Sequence, residues 1–249
     1  MNKKPIRFWE IDAYRGIAII MMILYHILFD INFLDLYQIN LHLPAFRLFL
    51  YPIGTSFLLL VGISLTISYS KHNKTKTEKE VFIHVFKRGI KIFFYGLLIT
   101  FITYLLLGEG YIVFGVLHCI GISILLSYPF LKNKKVIVNL ATGVILIILG
   151  IILRFFVFDF NFLLWLGFIP RHFYTLDYFP LLPWFGVVLI GISLGKIFYK
   201  KNKRSFHIND YSEKSVIFLL SYLGRHSLLI YLFHQPIILF LLLMLKQYL

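Results

Sequence analysis

The chain has 249 residues, 59% of them hydrophobic, 18% aromatic and only 14% charged, where a soluble domain typically carries about 25% charged and 45–50% apolar residues. That balance, with a mean hydropathy of +0.83, excludes a soluble globular, a disordered or a fibrous chain and predicts an integral membrane protein. A net charge of +14 would suggest nucleic acid in a soluble chain; here the basic residues cluster between apolar runs, so they read as topology and no nucleic-acid partner is expected.

In chain order, seven stretches are long enough to cross a hydrocarbon core, near 11–33, 46–69, 90–108, 112–131, 136–155, 180–199 and 225–246; a crossing takes about 20 residues. Backbone groups in lipid must be satisfied within the segment, so each is expected to be a helix. The predicted fold class is therefore all-α, a polytopic membrane helix bundle. The first stretch is interrupted at its start by Asp12 and Arg15 and lacks a small-residue cleavage site, so it is expected to stay in the mature protein. Residues 160–169 are too short to span and are rich in Trp and Phe, which suits an interfacial or re-entrant half-helix. Residues 216–223 form an interfacial helix or an early start to the last span, and eight spans are the alternative count.

With the N-terminus in the cytoplasm, twenty basic residues fall on the cytoplasmic side and four on the other face and its flanks. This is a strong positive-inside bias, and it places the protein in the cell membrane as a multi-pass chain. A single cysteine, Cys119, rules out an intrachain disulfide. No internal repeat or low-complexity linker is present, so residues 1–249 are expected to form one transmembrane domain. A homodimer is left open.

Ionisable groups within spans are costly and default to functional candidates. The first helix has four: Asp12, Arg15, His26 and Asp30. At 3.6 residues per turn they share an arc of about 60°, so the polar face must look into a protein interior or a water-filled cavity. His26 lies roughly 16 Å beyond Arg15. Asp30, one turn further, is placed to hold its imidazole in one tautomer. Asp12 and Arg15 could equally be no more than an interfacial ion pair.

The run Arg7-Phe8-Trp9-Glu10-Ile11-Asp12-Ala13-Tyr14-Arg15-Gly16-Ile17-Ala18 resembles the opening of the catalytic domain of heparan-α-glucosaminide N-acetyltransferases, where a D-x-x-R-G-x-A motif begins the first helix. Further matches to small prokaryotic relatives are Phe57 to Leu65, Gly115-Val116-Leu117-His118-Cys119-Ile120-Gly121, Asp177 to Gly186, and Leu223 to Pro236. They spread over nearly the whole chain. Arg15 and His26 also stand at R-x10-H spacing, and Ser227, Tyr231, His234 and Pro236 are similar to the ending of acyltransferase-3 proteins. The resemblance implies a transmembrane acyltransferase domain. It would move an acyl group, usually acetyl, from cytoplasmic acetyl-CoA to an acceptor on the outer side, commonly a sugar amine or hydroxyl. Membrane lipid, acetyl-CoA and a carbohydrate-type acceptor are the implied partners. The lysosomal enzymes carry more spans, a lumenal domain, an asparagine where this chain has His26, and a catalytic histidine further on, at a position that falls within one residue of His42. His26 is favoured as the base because Asp30 can orient it, and His42 is the second candidate.

Other candidates follow from position. His118, flanked by Gly115 and Gly121, either lines an acyl-CoA tunnel or bonds a neighbouring helix. Asp12, Arg15, His118 and Arg225 are the expected donor-binding set, with Arg225 placed to meet phosphates or to anchor topology. His234, Tyr231 and Ser227 share a helix face near the Pro236 kink and are expected to face the acceptor, together with Arg171 on an outer loop whose other polar members are His172, Asp177 and Tyr178. The lysine runs at 71–79 and 200–204 read as a solvated face near anionic lipid. No Walker, Rossmann or metal-ligand spacing appears, so no metal is expected. The alternatives to an acyltransferase are a polytopic transporter and a bis-histidine haem protein using His26, His118 and His234.

Overall fold

The computed structural model describes residues 7–40 and 43–248, apart from the side chains at 44–47, 49 and 201. The described residues form helices α1 (Trp9–Phe33), α2 (Pro44–His72), α3 (Glu78–Leu107), α4 (Val116–Leu126), α5 (Tyr128–Lys132), α6 (Val136–Leu153), α7 (Leu181–Phe198), α8 (Ser215–Arg225) and α9 (Ser227–Lys246). No strand occurs among them; two isolated bridges join Phe114 to Tyr178 and Phe158 to Pro170. Six helices, α1, α2, α3, α6, α7 and α9, are long and apolar enough to cross a membrane. The chain is a multi-pass helix bundle. On α3, Phe94, Phe101, Leu105 and Leu106 are all exposed, a surface suited to lipid and not to water.

At 112–131 the stretch expected as one continuous helix is interrupted. That stretch is broken into α4, of 11 residues, and α5, of 5. Pro129, in the first turn of α5, has no N–H to give to the carbonyl one turn back, so a helical hydrogen bond is missing at the junction. Ser127 at the junction turns its hydroxyl onto the Ser123 carbonyl at 2.5 Å. Before α4, the chain at 110–114 is bonded to 176–179, with Leu176 N–H on Gly110 O and Phe179 N–H on Phe114 O, both at 3.0 Å. Residues 160–169 hold only a 3-10 turn at Leu164–Leu166 in place of a half-helix. Residues 216–223 lie in α8, a short helix separated from α9 at His226.

The chain packs as two compact units. The first holds residues up to Phe57 and from Ile208 on, and so contains α1, α8, α9 and the start of α2. Its tightest contact is the crossing of α1 and α8. A Cβ placed on Gly16 would lie 2.0 Å from the Leu220 carbonyl oxygen, and one on Gly224 would lie 1.8 Å from that of Asp12. Only glycine lets these backbones meet, the device that close membrane helix pairs use. Further along α1, Ile19 and Met22 pack with Ile53, Ile230 and Tyr231.

The second unit runs from Leu58 to His207. Its centre is α7, with Trp184, Phe185, Val188, Leu189 and Ile192 buried. The core also takes Leu58 and Leu65 of α2 and Cys119 and Ile124 of α4.

Candidate functional site

The polar face of α1 is an interior face, and α8 and α9 divide it between them. At its N-terminal end, Arg15 Nη1 donates to Asp12 Oδ1 at 3.1 Å and to the Gly224 carbonyl at 3.4 Å. The pair fastens α1 to α8. There α8 crosses the face at backbone contact, and Asp12 and Arg15 bond to each other and to Gly224.

About three turns beyond, α9 takes over. The rings of His26 and His234 meet edge to face, with centroids 4.7 Å apart. His26 Nδ1 lies 2.8 Å from the Met22 carbonyl, and His234 Nδ1 lies 2.7 Å from that of Tyr231. A carbonyl only accepts, so in each neutral ring the proton is on Nδ1 and the lone pair is on Nε2. The Nε2 of His234 is buried with no partner among the described residues. An apolar cleft of about 420 Å³ opens beside His234, lined by Ile23, Phe233, Ile237 and Ile238 among others.

Asp30 does not orient His26, which corrects the expectation drawn from their spacing. The backbone one turn back has already claimed the His26 Nδ1 proton. Asp30 is 1% exposed, and its two oxygens accept from Gln235 Nε2 at 2.8 and 2.9 Å. Gln235 lies within the Leu223 to Pro236 stretch, where the sequence alone assigns it no role. The available signal was an amide in an apolar run, next to a histidine and a proline.

The remaining candidates separate from this cluster. Tyr231 packs its ring 5.5 Å from that of His234, and Ser227 is the first residue of α9. Arg225 is exposed at the end of α8, with Nε on the Ser221 carbonyl at 3.1 Å. Arg171 forms an ion pair with Asp159 at 3.2 Å in which both side chains are exposed. His42 lies outside the described residues.

His118 belongs to the second unit, where it makes the bond to a neighbouring helix that is one of its two expected roles. Its Nδ1 accepts the Gly115 N–H at 3.2 Å, so Nε2 carries the proton toward Thr100 Oγ1 at 3.3 Å. Thr100 gives its own proton to the Ile112 carbonyl at 2.6 Å. The ring lies between Phe93 and Phe114. Every polar atom of this chain of bonds is used in starting α4. Asp177 serves the same helix start, accepting the Val116 N–H at 3.0 Å. Burial pushes its carboxyl from the ordinary 3.8 up to about 6. Tyr178 donates to the Leu164 carbonyl at 2.7 Å. These loop residues hold the fold.

Direct contact of the His26 and His234 rings leaves no space for a macrocycle between them, so the geometry does not fit paired axial ligation of haem. No group of three or more metal-ligating side chains occurs among the described residues. What the cluster offers is two imidazoles of fixed tautomer, each with an unprotonated nitrogen, on a rigid helix pair clamped by a buried carboxylate–amide contact.

A family model described as heparan-alpha-glucosaminide N-acetyltransferase, catalytic, matches residues 7–236. No curated protein and no solved structure matches the chain.

Proposed function

The chain belongs to the heparan-alpha-glucosaminide N-acetyltransferase catalytic family, and from that premise we propose that residues 1–249 form one transmembrane domain that moves an acetyl group from cytoplasmic acetyl-CoA to an acceptor on the outer side, a sugar amine or hydroxyl. The N-terminus lies in the cytoplasm in this reading, in keeping with the charge bias of the loops.

The observation that carries the reading is the fixed tautomer of His26. With Nδ1–H held by the Met22 carbonyl, Nε2 is the basic atom, and it sits on a helix rather than a loop. His26 Nε2 accepts the proton of the acceptor as its nitrogen or oxygen attacks the thioester carbonyl; the same proton then goes to the departing thiolate. General base catalysis of this kind contributes about 10²–10⁴-fold. His234, against the edge of His26, presents a second Nε2 and borders the apolar cleft, a place suited to the acyl group or the acceptor. Asp30 and Gln235 position both histidines by holding α1 to α9. Arg225, exposed at the end of α8, is available to donor phosphates.

In the test, His26→Ala inserts normally and loses acetyl-CoA-dependent transfer. Retained turnover in that variant moves the chemistry to His42. Solute uptake by proteoliposomes without acetyl-CoA consumption supports a transporter instead.

A further inference from the structure

We propose that the polar cavity of the second unit is a binding site for a ligand carrying clustered phosphate, a diphosphate or bisphosphate group. The proposal is argued from the cavity alone and stands or falls apart from the acetyltransferase reading.

The cavity has a volume of about 750 Å³, within the roughly 300–1,000 Å³ of small-molecule sites. It is formed where the C-terminal ends of α2, α5 and α7 come together. Its lining includes Lys132, Lys134, Lys196 and Lys200 and one carboxylate, Glu78. Glu78 is already paired with Lys132. Three lysines are therefore left to set the sign of the site, and a cationic or purely apolar occupant is disfavoured.

Lys196 decides between a solvated basic rim and a built site. Its side chain is half-buried, and Nζ donates to the Phe130 carbonyl at 2.6 Å and to the Asn133 carbonyl. It forms no ion pair among the described residues. An ammonium has three N–H donors, so one is left over for an occupant. Two neutral carbonyls fix the position of this charge without neutralising it, and a half-buried charge without a counter-ion is costly. Capping the carbonyl end of α5 would explain Lys196 by itself. It would not explain why Lys134 and Lys200, from two other segments, line the same cavity. Lysines meet phosphate as compact point charges, and Asn73 and Tyr69 on the same wall add neutral polar groups for the rest of a ligand.

The experiment titrates the full chain, purified in neutral detergent, with inorganic pyrophosphate, with adenosine 3′,5′-bisphosphate and with short-chain phosphatidic acid. Saturable binding of at least one probe is expected, weakening as salt rises. The soluble probes and the lipid distinguish a free phosphate from a headgroup as the source. Lys196→Gln is expected to weaken binding at least tenfold. Because Lys196 also ties α5, the exposed pair Lys134→Gln with Lys200→Gln is the second variant, with the same loss expected. Lys87→Gln, outside the cavity, should bind as the parent does. Absence of saturable binding for all three probes overturns the proposal, as does unchanged affinity in the Lys134→Gln, Lys200→Gln variant. Binding without acetyl transfer leaves this site standing and removes the proposed function; transfer with unchanged binding in the variants does the reverse.

Discussion

His26 and His234 each give their Nδ1 proton to a backbone carbonyl a turn behind and keep the Nε2 lone pair, so a tautomer that a carboxylate fixes in a hydrolase triad is here fixed by the helix itself. The consequence is that Asp30 is a structural anchor and not an orienting acid. Gln235→Ala removes the one donor found among the described residues for a carboxylate 1% exposed. A hydrogen bond to a charged group contributes about 1.5–3 kcal/mol, so a loss of that order is expected, read as a lowered unfolding midpoint in detergent. Adding Asp30→Asn to that variant removes the buried charge and should recover part of the loss; no recovery would contradict the anchoring role. The histidine on the polar face of α1 was legible from one helix, because 3.6-residue periodicity needs only local sequence. The partner of Asp30 was not, since Gln235 lies 205 residues away and periodicity carries no information about which helix faces which.

Between elements, the fold depends on glycines and on the starts of short helices. Gly224→Val would drive a side chain into the Asp12 carbonyl. Overpacking typically costs about 1–3 kcal/mol, and a backbone obstacle that cannot give way places this variant at the upper end, seen as a lowered unfolding midpoint. Asp177, whose carboxyl is raised from 3.8 to about 6, gives a pH test. Between those values the folded chain holds a proton that the unfolded chain has released. Stability conferred by that proton is present below about pH 4 and declines as pH rises through about 6. Asp177→Asn keeps an acceptor for Val116 N–H and should abolish that slope; an unchanged slope would assign the pH dependence elsewhere. Hydropathy read 112–131 as one span because Ile, Leu and Phe dominate it. The break at Pro129 and the bonding of 110–114 to 176–179 are local and tertiary effects that an averaged window does not register.

For the whole molecule, composition alone made the membrane character legible, since backbone satisfaction in lipid leaves few architectures. Six long helices and the family match over residues 7–236 agree with it. The proposed orientation, with the N-terminus in the cytoplasm, rests on the distribution of basic residues among the loops. Cysteine labelling from outside should therefore leave a reporter before Trp9 unmodified in sealed cells, and labelling there would reverse the proposed direction of transfer. The central claim is that an imidazole on α1 performs acetyl transfer. The measurement that tests it most directly compares the parent with His26→Ala in vesicles, following acetyl-CoA consumption that depends on an amino sugar or alcohol on the opposite side. The account predicts acceptor-dependent turnover in the parent and a loss of about 10²–10⁴-fold in the variant, with insertion unchanged. Equal turnover in the two proteins would contradict it.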